Sequence, residues 1–145
     1  MLKPGDPAPD FPVGDETLYQ ILAQRKVAVY FFPKAFTPGC TRESGDFREQ
    51  FDRLWAAGCG VVGVSTDDQE TNDRFRASLD LPFPLVGDPD RRIVAAYDVR
   101  WPLIGYAQRV TYVVGQDRRI EMARHSELRA GRHAADVCRV VLPAK

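Results

Sequence analysis

Apolar runs rich in β-branched and aromatic residues alternate along this chain with segments whose apolar positions recur every three or four residues. Val27 to Phe32 is the first such run and reads as a buried strand. From Pro38 to about Ala57 the period turns helical: Phe47, Phe51, Leu54 and Trp55 stand at i, i+4, i+7 and i+8, one stripe facing a core. Gly45 interrupts that helix at roughly 1 kcal/mol relative to alanine, and Gly58 and Gly60 flank its end. Cys59 to Ser65 forms a second buried strand. Asp67 and Glu70 are spaced as an N-cap and its return partner, which predicts a helix from there to Leu79 with Phe75 and Leu79 turned inward. Pro82 to Val86 gives a short strand that its prolines move to the sheet edge. Asp88-Pro89 opens another helix, with Ile93, Ala96 and Tyr97 on one face. Arg109 to Val114, a turn over residues 115–118 and Ile120 to Ala123 read as an antiparallel hairpin. Ala134, Val137, Cys138 and Val141 form the inner face of a last helix.

The remaining stretches are less regular. Residues 1–14 carry prolines and glycines that suit an extended arm, with Phe11 and Val13 tucked inward. Glu16 to Gln24 fits a short amphipathic helix, and a turn followed by a strand fits nearly as well. Trp101 to Ala107 is an apolar loop without a period. Helices alternating with buried strands, then a hairpin and a helix, imply an α/β fold: a mixed central sheet with helices on both faces and its early strands parallel. The 145 residues have room for one domain, 1–145, with a sizeable core.

Composition narrows the partners. Twenty basic and twenty acidic residues cancel, so the global balance implies no nucleic acid or other polyanion. No apolar run approaches bilayer length, so no membrane span is expected. The first residues, Met1 to Asp6, lack the apolar core of a signal peptide, and the expected location is cytoplasmic. The three cysteines are widely spaced and match no zinc-ligand pattern, so each is judged by its surroundings.

Cys40 has the most telling surroundings. Pro33 stops the first strand, and a short loop leads to Thr37-Pro38, a threonine able to cap followed by a proline suited to the first helical position. Cys40 then falls in the first helical turn, where unpaired amides and the positive end of the dipole favour a thiolate. A free thiol ionises near pH 8.5, so only a minority is anionic at neutral pH without such help.

The motif Pro33-x-x-x-Thr37-x-x-Cys40 resembles the active-site motif of the peroxiredoxins. Its longer form, from Phe31 to Thr41, resembles the peroxiredoxin Q, or bacterioferritin comigratory protein, subfamily. The opening from Gly5 to Phe11 is similar to that family's N-terminus, and Arg109 to Val114 to its arginine-bearing strand. The resemblance implies a thioredoxin-like fold and reduction of hydrogen peroxide and alkyl hydroperoxides, without metal, haem or flavin cofactors. It also implies roles for named residues. Cys40 would be the peroxidatic nucleophile, Thr37 Oγ and the Cys40 amide would hydrogen-bond the peroxide, and Pro33 would screen the thiolate from water. Arg109 would contact both thiolate and substrate. Glu43, one turn beyond Cys40, would hold the guanidinium by a bidentate carboxylate pair.

Regeneration departs from the subfamily. Where many of its members place a resolving cysteine, five residues after the first, this chain has Gly45, and residues 67–80 contain no cysteine. Cys59, heading a core strand, and Cys138, on an inward helical face, both read as small hydrophobes. A one-cysteine cycle is favoured, in which an external thiol or a thioredoxin-like reductant attacks the Cys40 sulfenic acid; an intramolecular partner, Cys138 before Cys59, is the less favoured reading and would require local unfolding. A redox-sensing module that relays oxidation to a partner protein is the alternative. A disulfide oxidoreductase is disfavoured, since Glu43 stands where Cys-x-x-Cys chemistry needs its second thiol. Phe32, Phe36, Trp101 and Tyr106 are candidates for the substrate entrance, and each equally for plain core or a dimer patch. His125 and His133 read as surface residues, and the chain is expected as a monomer or weak homodimer.

Overall fold

A computed structural model of the chain describes residues 1–143, so the last two residues of the expected domain lie outside the described ones. Its centre is a five-stranded mixed sheet. The central strand β3 (Lys26–Phe31) pairs in parallel with β4 (Cys59–Ser65), which pairs in parallel with the short edge strand β5 (Leu85–Gly87). On its other side β3 meets β6 (Val110–Val114) antiparallel, and β6 continues into β7 (Ile120–His125) as the expected hairpin. The parallel and antiparallel halves therefore join at β3, and the loop that leaves its carboxyl end carries the thiol motif.

Alternation along β3 feeds two cores. Val27, Val29 and Phe31 face a layer made by the N-terminal arm, α1 (Leu18–Leu22) and the segment around α4 (Arg92–Ala96). Ala8, Phe11, Leu22, Val94 and Tyr97 fill that layer. Ala28, Tyr30 and Phe32 face the opposite layer, built by α2 (Pro38–Ala56), α3 (Gln69–Leu79) and α5 (Arg132–Val141). Tyr30 stacks on Phe47 with ring centroids 4.6 Å apart, and its buried hydroxyl is satisfied by Ser44 Oγ at 2.8 Å. That pair fixes the axial position of α2 on the strand, because an unpartnered phenol there would cost a buried hydrogen bond. Gly63 of β4 lies opposite Tyr30, and a Cβ on it would come within 2.6 Å of Leu85 and 2.8 Å of Tyr30.

Several details differ from expectation. A two-stranded hairpin, β1 (Pro12–Val13) with β2 (Glu16–Thr17), precedes α1, and Thr17 with Gln20 closes a capping box on that helix. Asp68, not Asp67, caps α3 by accepting the Thr71 amide at 2.7 Å. Asp67 instead accepts the Ala35 amide at 2.7 Å and the Ser65 hydroxyl at 2.8 Å, so it ties down the loop before α2. In α4 it is Val94, with Tyr97 after it, that is buried, while Ala96 is exposed: the helix begins at Arg92 and its face is rotated. Trp55 lies at the edge of the α2 stripe and is half exposed, with the Arg25 guanidinium 3.3 Å from its ring centroid. Gly58 ends α2 in a left-handed turn, φ +84°, with open space around it.

Candidate active site

The chain leaves β3 at Phe31, passes the half-buried Pro33 and turns through Phe36, whose φ of +66° is left-handed, before α2 begins at Pro38. Such a backbone is costly for a bulky side chain and sharply reorients the chain. Phe36 is exposed on its outer side and packs edge-on against Phe75, ring centroids 5.2 Å apart. Thr37 occupies the N-cap position with an extended backbone, but its side chain makes no cap bond. Its hydroxyl donates to the Lys34 carbonyl at 2.8 Å instead. The helical ladder starts with the Thr41 amide donating to Thr37 O at 2.9 Å, so the amides of Gly39 and Cys40 come before it. Cys40 itself is fully buried.

Arg109 ends the loop before β6 and is 7% exposed. Its own amide donates to Glu127 Oε2 at 2.7 Å, which fixes the start of the strand. The side chain crosses to the first turns of α2: Nη1 donates to Glu43 Oε1 at 2.9 Å. The guanidinium also lies against Gly39, where a Cβ would come within 3.0 Å of Nη2. Gly39 thus keeps open the space the cation fills. Burial lowers the affinity of Arg109 for its proton, but the charges of Glu43 and Cys40, with a hydrogen bond donated to each, outweigh it and leave the pKa raised. Cys40, Glu43 and Arg109 are therefore brought together, with Thr37 at the head of the same helix.

Glu43 is fully buried and differs from the sequence reading in one respect. Only Oε1 is donated to by Arg109; Oε2 has no hydrogen-bond partner among the described residues, so the pair is not bidentate. Burial, opposed by the charge of Arg109, pushes its carboxyl up to about 8. The ring of His133 approaches Oε2, with Nδ1 3.5 Å away. His133 is 1% exposed, against the surface position expected from its polar neighbours in sequence. The signal was available: His133 directly precedes Ala134 on the inward face of α5, and Thr111, which it meets, follows Arg109 by two on β6. His125 is exposed as expected and pairs with Glu127 at 2.7 Å.

The other thiols are remote. Cys59 is buried at the start of β4, and desolvation pushes its pKa up to about 12. Cys138 on α5 is half-buried and raised by the same cause. Its sulfur sits 3.7 Å from Gln50 Oε1, ten residues beyond Cys40 on α2, and ten residues of helix span about 15 Å. An open cleft bordered by Pro38, Gly39, Arg42 and residues 128–132 runs beside the first turn of α2. Trp101 is half-buried and Tyr106 exposed, with Leu103 and Ile104 exposed between them.

A profile of the AhpC/TSA family matches residues 4–123. A putative peroxiredoxin of Mycobacterium tuberculosis is 38% identical over 95% of this chain and 94% of its own length. The peroxiredoxin Bcp of Escherichia coli is 34% identical over 83% of each chain. Among solved structures, the peroxidoxin BcpB of M. tuberculosis superimposes with a TM-score of 0.91, at 27% identity, covering 99% of this chain and 100% of that one. The thioredoxin-like fold, the family match and these relatives agree with the chemistry of the thiol motif, and the chain belongs to the AhpC/TSA family as a peroxiredoxin, a thiol-dependent peroxidase that takes a peroxide substrate and a thiol reductant.

Proposed function

We propose that Cys40 is the peroxidatic cysteine of a one-cysteine cycle acting on hydrogen peroxide and alkyl hydroperoxides. The observation that carries this reading is the Arg109 guanidinium lying on Gly39 and paired with Glu43, beside a sulfur in an uncapped first helical turn. The thiolate attacks the near oxygen of the peroxide, the O–O bond breaks, and the departing oxygen takes a proton and leaves as water or an alcohol. Cys40 keeps the other oxygen as a sulfenic acid. Arg109 and the Cys40 amide stabilise charge on the departing oxygen, in the manner of preorganised donors. Because the Thr37 hydroxyl spends its proton on Lys34 O, it meets the peroxide as an acceptor and orients the attacked bond. Pro33 shields the sulfur from bulk water, and Glu43 holds the guanidinium.

Resolution then proceeds outside the chain. One external thiol condenses with the sulfenic acid, forming a mixed disulfide and water. A second thiol displaces Cys40 as thiolate and leaves as the external disulfide. The separation of Cys138 from Cys40 along α2 and the burial of Cys59 support an external donor, either a small thiol or a thioredoxin-like protein approaching by the cleft at Gly39. We place this single-domain enzyme in the cytoplasm, as a monomer or a weak dimer through Leu103, Ile104 and Tyr106, with neither nucleic acid nor membrane as partner. No helix among the described residues is long and apolar enough to cross a membrane.

Mass spectrometry after one equivalent of peroxide tests the cycle. A trapped sulfenic acid on Cys40 and no internal disulfide is the expected product. Cys40→Ser should abolish turnover, while Cys59→Ser and Cys138→Ser keep it with an external thiol. Loss of turnover in either of the latter two would overturn the one-cysteine reading.

A further inference from the structure

His133 is the second residue of α5, is buried, and takes no part in the peroxide chemistry described above. Both ring nitrogens are engaged. Nε2 lies 3.0 Å from the carbonyl oxygen of Ser126, and Nδ1 lies 2.7 Å from Thr111 Oγ1. A carbonyl oxygen only accepts, so Nε2 carries a proton. In the neutral ring Nδ1 then offers a lone pair, into which the Thr111 hydroxyl donates. Glu43 Oε2 lies 3.5 Å from the same nitrogen and has no hydrogen-bond partner among the described residues.

Two lone pairs facing each other in a buried site repel, and an ionised carboxylate oxygen without a donor carries its full desolvation cost. A single proton removes both problems. On Glu43 it makes an O–H donor that shares the one Nδ1 lone pair with the Thr111 hydroxyl; on Nδ1 it makes a single N–H forked between Oε2 and Thr111 Oγ1, whose own proton turns away. We infer that His133 is a positioning residue that shares one proton with Glu43, pinning Oε2 so that Oε1 stays on Arg109 and the guanidinium stays beside Cys40. This rests on the reading of Cys40 and Arg109 given above.

The charged groups that act on the ring come from several elements. They are Glu43 from α2, Arg109 from the start of β6, Glu127 from the loop after β7, and Asp136 on α5 itself. Burial lowers the His133 pKa; the Ser126 hydrogen bond and the charges of Asp136 and Glu127 oppose this, the charge of Arg109 adds to it, and the net direction is down. Glu43 is shifted the other way, up, by its own burial. The proton therefore resides on the carboxyl side. A neutral Glu43 leaves the charge of Arg109 undivided for the sulfur, whereas an ionised one competes for it. The peroxide rate thus carries a descending limb at alkaline pH that belongs to the Glu43–His133 pair rather than to either residue.

Stopped-flow oxidation of Cys40 by hydrogen peroxide between pH 6 and 10 tests this in the parent, His133→Leu and His133→Asn. The asparagine amide donates from near the Nδ1 position without titrating. His133→Leu is expected to react about tenfold more slowly at neutral pH. His133→Asn recovers most of that rate, and in both the alkaline limb moves by about one pH unit. Parallel profiles with an unmoved limb, or an asparagine variant no better than leucine, overturn the proposal. Should His133→Leu fail to fold, 15N spectra of histidine in the intact chain decide. Nε2 should stay protonated while the Nδ1 resonance moves between pH 7 and 9, and that movement should vanish in Glu43→Gln. An Nδ1 resonance that ignores pH across this range overturns the shared proton. The spectra read the proton directly, so their outcome stands apart from whether Cys40→Ser abolishes peroxide reduction.

Discussion

Gly39 is the smallest residue at the site, and the position of Arg109 depends on it. A methyl group there would meet the guanidinium at 3.0 Å, tighter than ordinary contact, and the flexible arginine would be the part to move. Gly39→Ala should therefore fold normally and reduce Cys40 by external thiol as before. Its peroxide step should slow on the order of tenfold to a hundredfold, since a misplacement of this size in a positioned group carries that penalty; rapid-mixing kinetics would measure it. Glu43 gives a second prediction, on stability. Its carboxyl titrates near 4.5 in a model peptide and is pushed up to about 8 in the fold. The folded state thus holds the proton more tightly. The stabilisation that goes with it is fully present below pH 4.5 and is lost as pH rises through about 8. Denaturant titrations should show stability falling across that window, and Glu43→Gln, which cannot ionise, should fall less. At this scale Cys40, Thr37, Glu43 and Arg109 were legible as candidates because they lie in or beside stretches that resemble a known family. The signal for His133 lay in its place beside Ala134 on the inward face of α5, and its polar neighbours in sequence masked it.

The elements show where local pattern suffices and where packing decides. Gly45 sits in mid-α2 with nothing within 4 Å of a would-be Cβ, so it weakens the helix without making room for any neighbour. Gly45→Ala should stabilise the protein by about 0.5–1 kcal/mol in urea titrations. Gly63 is the opposite case. Its β-strand position is occupied in space by Leu85 and Tyr30, and Gly63→Ala should cost about 1–3 kcal/mol through overpacking. The long strands and α2 could be read directly, because their apolar periods persist over whole elements. The β1–β2 hairpin could not, because two-residue strands leave no period to detect. The cap of α3 lies one residue from the position the spacing predicts because Asp67 and Asp68 are chemically equivalent at an N-cap. Only the approach of the loop before α2, with the Ala35 amide, distinguishes them.

Across the whole molecule the two cores on either face of one sheet place Cys40 beyond the carboxyl end of β3. The exposed surface around Leu103, Ile104 and Tyr106 is the largest-scale feature the sequence left open between core, substrate wall and contact between copies. Sedimentation velocity over a range of concentrations should show a monomer or a weak, reversible dimer. Leu103→Asp, which places a charge on a fully solvated side chain, should remove any dimer without altering the peroxide step. The turn at Gly58 lies at the far end of the same long helix that carries Cys40, roughly 24 Å away along its axis. It borders no part of the reaction centre, and open space surrounds it. A dye, a surface anchor or an inserted peptide tethered there would report on, or immobilise, the enzyme while its redox cycle runs undisturbed at the opposite pole.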